Sequence, residues 1–231
     1  MVCEMIHLKN VTKVYERNGV MALDDINLDI AAGEFVFIVG TSGSGKSTLM
    51  KLLMHEETPT MGEIFVDGRD VVKMLPKEIP YLRRSLGVIF QDFRLLEDKT
   101  VYENIAFAMQ VIEAPKKIIR RTVDAVLDIV GLREKSKHFP SQLSGGEQQR
   151  VAIARAIVND PKIVIADEPT GNLDPSTTWD IMDIFLRINT AGTTIVMATH
   201  DKDIVNRLKK RVVEIEGGKI IRDQIRGRYG K

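Results

Sequence analysis

Residues 35–53 read FVFIVGTSGSGKSTLMKLL, an unbroken apolar run that meets a glycine-rich loop and continues into a segment with helical spacing. Five apolar residues without alternation make a strand buried on both faces, so the chain must cover a sheet from two sides, as layered α/β folds do. The loop is equally restrictive. Gly40, Thr41, Ser42, Gly43, Ser44, Gly45, Lys46, Ser47 and Thr48 fill the full phosphate-loop spacing between a strand and a helix. Glycines let successive backbone N–H groups converge on an anion at the positive end of the following helix. In such a loop Lys46 is expected to reach the β- and γ-phosphates and the Ser47 hydroxyl to bind Mg²⁺. ATP and Mg²⁺ are therefore the expected ligands.

The rest of the chain supplies the layers. IHLKNVTKVY and ALDDINLDI alternate in strand fashion about a turn at Gly19, and EIFVDG and LGVIFQD read as further strands. After Phe93 the rhythm changes. TVYENIAFAMQVI and KKIIRRTVDAVLDIVGL carry apolar residues at helical spacing on either side of Pro115 and form a mostly helical insertion ending near Pro140. KIVIADEP and TTIVMATH are apolar strands with polar ends, STTWDIMDIFLRI is an amphipathic helix, and RVVEIEGGKIIRD turns as a hairpin at Gly217 and Gly218.

Composition narrows the function classes. With 44% hydrophobic and 28% charged residues the 231-residue chain reads as an ordinary globular protein, and its net charge of +1 argues against a broad nucleic-acid footprint. The longest apolar runs fall far short of the ~20 residues that cross a bilayer, so a membrane role requires a spanning partner. MVCEMIHLKN lacks a secretory pattern, and a cytoplasmic location is expected. The single Cys3 is given no role. The basic end, RDQIRGRYGK, reads as a solvated tail, with weak contact to anionic lipid or a partner as the alternative.

Several polar residues end apolar strands. Asp167 and Glu168 close KIVIADEP side by side, where buried carboxylates need a cation or water, so Asp167 is the candidate Mg²⁺ partner and Glu168 the candidate base for attacking water. His200 closes TTIVMATH at the sheet edge where open α/β folds place ligands, and is a candidate γ-phosphate contact. Gln91 closes LGVIF and opens the helical insertion, so its amide is a candidate contact to Mg²⁺ or water. Tyr15, ending the first strand, fits adenine stacking and ordinary packing equally well. A second anion-type helix start appears at LSGGEQQRVAIARA, where Ser144, Gly145 and Gly146 precede a helical rhythm.

Together these residues resemble the nucleotide-binding subunit of ABC transporters over essentially the whole chain, and LSGGEQ matches that family's signature motif. The resemblance implies an α/β P-loop NTPase of the ABC ATPase type: a mixed-sheet RecA-like core with an antiparallel β subdomain and an inserted α-helical subdomain. One domain spans 1–231, with residues 1–90 and 141–231 as catalytic core, 91–140 as insertion, and the signature helix from 144. It also implies a head-to-tail homodimer in which each ATP lies between one subunit's phosphate loop and the other's signature helix. On that pattern Tyr15 stacks adenine, Gly40 to Thr48 hold phosphates, and Ser144, Gly145, Gly146 and Glu147 approach the opposite nucleotide. Lys46, Gln91, Glu168 and His200 take catalytic parts, Ser47, Gln91 and Asp167 serve Mg²⁺, and Asn172 to Asp174 lie at the dimer interface. Thr41 stands where the family often has proline.

A narrower resemblance rests on FQDFRLLEDKTVYENIAFAM, IPYLRRSLGVIF and RGRYG, which look like the cell-division members of the family. It implies an FtsX-like integral membrane partner, indirect control of a peptidoglycan hydrolase, and a peripheral place on the cytoplasmic face of the membrane. ATPases of lipoprotein-release and macrolide or peptide exporters share ADEPTGNLD and form the alternative. DNA-repair or translation factors with this head need a coiled coil or a second head, and a small-molecule kinase has no use for LSGGEQ.

Overall fold

The computed structural model describes residues 4–16, 19–171 and 173–229; Cys3 and Asn172 lie outside the described residues. Glu4–Tyr15 (β1) and Val20–Ala31 (β2) pair antiparallel about the Gly19 turn. Phe35–Val39 (β3) is buried at every position and leads through the glycine loop into Lys46–Leu53 (α1). Met61–Val66 (β4) and Arg69–Asp70 (β5) extend the first sheet, giving the order β2-β1-β4-β5. Ile79–Arg84 (α2) precedes Leu86–Ile89 (β6); this short helix, like β5, has too few residues to carry a periodic signal.

The helical insertion contains Val101–Val111 (α3) and Lys116–Ile129 (α4). Thr100 and Glu103 form a reciprocal capping box at the start of α3, and Pro115 stands at the N-cap position of α4 without a side-chain cap. Before α3, residues 93–99 are irregular rather than helical, because Phe93 and Arg94 both take left-handed backbone conformations. Gly145–Ile157 (α5) leads to Ile163–Asp167 (β7), then Pro175–Thr190 (α6), Thr194–Ala198 (β8) and Lys202–Leu208 (α7). Arg211–Glu216 (β9) and Lys219–Gln224 (β10) close the chain as the hairpin expected at Gly217 and Gly218.

The second sheet runs β10-β9-β3-β8-β7-β6, parallel throughout except for β10. Alternation along β3 divides the interior into two cores. Phe35, Phe37 and Val39 face α3 to α7, while Val36 and Ile38 face α1 and the antiparallel sheet. Helix α1 is held on that second side by Leu49, Met50, Leu52 and Leu53, all fully buried. The two-sided cover follows from the unbroken apolar strand. Among the described residues no helix is long and apolar enough to cross a membrane.

Candidate nucleotide site

Four parallel strands deliver the polar residues to one edge. Ile38 is registered with Ala198, Asp167 with Ala198, and Ile89 with Ala166, so β3, β8, β7 and β6 end at the same level. The loop from Gly40 to Gly45, His200, the Asp167–Glu168 pair and Gln91 all leave the sheet there. Gln91 and His200 stand two residues beyond the last strand residue rather than on it.

The loop is shaped by close backbone approach. A Cβ on Gly40 would stand 2.2 Å from the Ile215 carbonyl oxygen and one on Gly45 2.5 Å from that of Ala22, and both glycines have positive φ. Lys46 Nζ donates to the carbonyls of Gly40 at 2.8 Å and Thr41 at 3.0 Å, which folds the ammonium over the loop's mouth. Gly45 starts α1 in a left-handed conformation without a side-chain cap, so the helix's first donors are available to an anion. Ser44 Oγ is buried without a hydrogen-bond partner among the described residues.

Burial pushes the Asp167 carboxyl above its ordinary pKa, the nearby Ser47 hydroxyl opposes that, and the neighbouring Glu168 charge adds to it. A hydroxyl and a carboxylate side by side are the oxygen donors that a hard divalent cation takes, and a cation would relieve the desolvated acid, so these residues fit Mg²⁺. Glu168 sits at φ 50°, a strained conformation for a non-glycine residue. Its Oε2 accepts from His200 Nδ1 at 2.8 Å and lies 3.4 Å from the His200 backbone nitrogen. A Cβ on Gly171 would lie 3.4 Å from Gln91 Nε2, which puts that amide beside the turn following Glu168. Tyr15 is half-buried; its hydroxyl is 3.3 Å from Thr48 Oγ1 and Lys13 Nζ stands 5.0 Å from its ring. Lys13 escaped sequence reasoning because alternating strands give no signal for a cation on an aromatic face.

Among the described residues, the second helix start hydrogen-bonds to none of these groups. Ser144 Oγ accepts from the Glu147 N–H at 3.3 Å, and Glu147 Oε2 accepts from the Ser144 N–H at 2.9 Å, a capping box contained in one turn. Lys135 binds Glu147 Oε1 at 2.5 Å. Gly146 packs against α6, where a Cβ would fall 2.2 Å from Thr177 Cγ2, and Gly145 lies nearest Leu173. The hydrogen bonds of Ser144 to Glu147 thus run within their own helix start and to Lys135, while the loop of residues 40–48 bonds to itself, to β1 and to the β9–β10 turn.

The sequence pattern of the ABC transporter family matches residues 23–171. The chain belongs to that family, and it is an ATP-binding and ATP-hydrolysing cassette. Within the family it groups with cell-division ATPases: it is 56% identical over 226 residues to the cell division ATP-binding protein FtsE of Bacillus subtilis, covering 98% of this chain and 99% of that one. The FtsE of Mycobacterium tuberculosis is 55% identical, covering 98% of both chains, and that of Escherichia coli 46% identical, covering 93% and 96%. Among solved structures, the dimeric post-hydrolysis state of the ATP-binding cassette MJ0796 bound to ADP and Pi superposes with a TM-score of 0.87 at 36% identity. That likeness covers 96% of this chain and 100% of the other. CbiO1 of Clostridium perfringens, part of the transporter complex cbiONQ, gives 0.89 at 33% identity over 96% and 89%.

Proposed function

We propose that this chain hydrolyses ATP at a site shared by two copies and uses the cycle to drive an FtsX-like membrane protein that controls a peptidoglycan hydrolase during cell division. The observation that carries the reading is the gathering of Lys46, Ser47, Asp167, Glu168, His200 and Gln91 at one sheet edge, with the Ser144 helix start outside it. ATP lies along Gly40 to Thr48 with adenine on Tyr15, and Lys46 turns from its carbonyl partners to the β- and γ-phosphates. Bound Mg²⁺ supplies neutralisation of charge on those phosphates, held by Ser47, Asp167 and Gln91.

Glu168 accepts a proton from water as the water oxygen bonds to the γ-phosphorus. The bond from that phosphorus to the bridging oxygen breaks, and ADP leaves with the bond's electrons. His200 orients the Glu168 carboxylate through Nδ1, which leaves Nε2 for the γ-phosphate. The signature residues Ser144 to Glu147 of a second copy cover the same phosphates, as the dimeric state of the MJ0796 relative supports. Residues 1–90 and 141–231 thus act as the core that holds ATP.

Closure and opening of the dimer move the insertion of residues 91–140, which faces the partner. The adjoining surface carries exposed Tyr81, Phe107 and Val111 beside Arg83 and Arg84, an apolar and cationic face suited to an amphipathic cytoplasmic segment of a membrane protein. Co-expression of the chain with an FtsX-like protein tests this directly. The chain is expected in the membrane fraction with that protein present, with retention weakened at least several-fold by substitutions in residues 93–96 or at Phe107. A strictly soluble distribution overturns the partner assignment and leaves the ATPase reading standing.

A further inference from the structure

At its far end the signature helix grips the segment of its own chain that follows Gln91. Arg155 lies on the last turn of α5, eleven residues beyond Ser144, so the two are roughly 16 Å apart on a rigid helix. Its guanidinium donates from Nη1 to the Arg94 carbonyl at 2.6 Å and from Nη2 to the Phe93 carbonyl at 2.9 Å. Burial pushes the guanidinium below the ordinary arginine range, and its hydrogen-bonding partners are main-chain carbonyls rather than carboxylates. A half-buried cation spent on two adjacent carbonyls is costly unless it fixes a backbone that needs fixing.

That backbone is strained. Phe93 and Arg94 follow Gln91 with φ of 57° and 48°, consecutive left-handed residues without glycine. The Arg94 N–H donates to the Asp92 carbonyl at 2.6 Å, closing a one-residue turn at Phe93. Two other groups hold the same segment: Arg94 stacks 3.6 Å over the Phe90 ring, and Asn104 binds both the N–H and the carbonyl of Leu96. Arg155 holds the turn itself.

Resting on the site reading above, we infer that Arg155 is a positioning residue for ATP hydrolysis: it clamps the turn at Phe93 and Arg94 so that displacement of the signature helix re-aims Gln91. A helix start drawn onto a nucleotide held by another copy then moves the clamp at the opposite end of the same rigid rod. The turn is the compliant element, because left-handed non-glycine residues relax when their carbonyls are released.

The test uses the full chain with Arg155→Met, which keeps the stem but removes both donors, and Arg155→Lys, which keeps the charge but loses the fork. Arg155→Met is expected to lower kcat about tenfold with KM for ATP within about twofold, and to speed amide exchange at residues 93–96 about tenfold or more. Arg155→Lys is expected to fall between it and the parent, and keeps the question open to measurement if the methionine variant fails to fold. In a Gln91→Ala background Arg155→Met is expected to cost no further turnover, since residues acting through one group are not additive. Additive losses, or unchanged exchange at residues 93–96, overturn the clamp. Wild-type turnover by Gln91→Ala alone instead removes Gln91 from the site reading, whereas the exchange result reports on the clamp independently of it.

Discussion

Two helices of this chain begin with glycines and a hydroxyl, and they are stabilised in opposite ways. The start of α1 is shaped by distant parts of the fold: Gly40 fits under the Ile215 carbonyl, Gly45 under that of Ala22, and the Gly218 N–H binds the Ser44 carbonyl at 3.1 Å. It has no side-chain cap, and its lysine is folded onto its own loop. The start of α5 is stabilised by its own turn, through Ser144 and Glu147, with Lys135 beside them. A helix start left uncapped by the chain and cradled by tertiary contacts is a complete receptor for phosphate. One that caps itself is a stable projection, which on the proposed reading meets the nucleotide of a second copy.

The largest effect is expected at Glu168, the proposed base of the shared site. Glu168→Gln should lower turnover by about 10²–10⁴-fold, the usual worth of a positioned base, while ATP-dependent dimers persist longer in size-exclusion chromatography. Turnover per chain near the parent's would remove Glu168 as the base.

Lys46→Ala and Ser144→Arg should each lose about 10²-fold or more, because each removes one half of the phosphate contacts. Mixed together they should recover activity, since one mixed dimer joins an intact phosphate loop to an intact signature start. Mixtures in which hybrid dimers form without any gain over either variant would break the shared-site reading. Ser144→Ala in the isolated chain should cost only ~1 kcal/mol of stability, the worth of a helix cap.

Gly146→Ala sharpens the contrast from the packing side. Its Cβ would fall 2.2 Å from Thr177 Cγ2, so overpacking should cost ~1–3 kcal/mol in a denaturant melt. Thr177→Ser removes that methyl and should restore most of the loss. The smallest effect belongs to Lys135, whose partly exposed pair with Glu147 should contribute about 0.5 kcal/mol. The Lys135 bond, followed by the Ser144 N–H, holds the Glu147 carboxyl below its ordinary pKa. A depressed carboxylate stabilises above the unfolded value of about 4.3 and loses that contribution as pH falls through the folded one. Parent and Lys135→Met melts should therefore differ at neutral pH and converge in acid.

Much of this molecule was legible from residue order. The unbroken FVFIV run announced a strand covered on both faces, and the spacing from Gly40 to Ser47 announced its loop, because both depend on local periodicity and backbone freedom. The capping box at Ser144 and Glu147 is likewise a short-range pattern. Less legible were the short helices α2 and α7 and the irregular path of residues 93–99. Six or seven residues give no secure period, and the left-handed pair at Phe93 and Arg94 contains no glycine to signal it. The two-residue offset of Gln91 and His200 from their strands escaped for a similar reason, since hydrogen-bonded register, not hydrophobicity, ends a strand.

By itself the sequence nominated the residues proposed for phosphate, cation and proton chemistry, since those properties belong to side chains and to glycine spacing. Only the tertiary structure decided that β3, β8, β7 and β6 end at one level, that His200 bonds to Glu168, and that Arg155 grips the turn behind Gln91. Those relations join residues up to 62 positions apart in the Arg155 case and 32 in the His200 case. They follow from sheet order and helix packing, which arise from the collapse of two whole cores around one strand rather than from any local pattern.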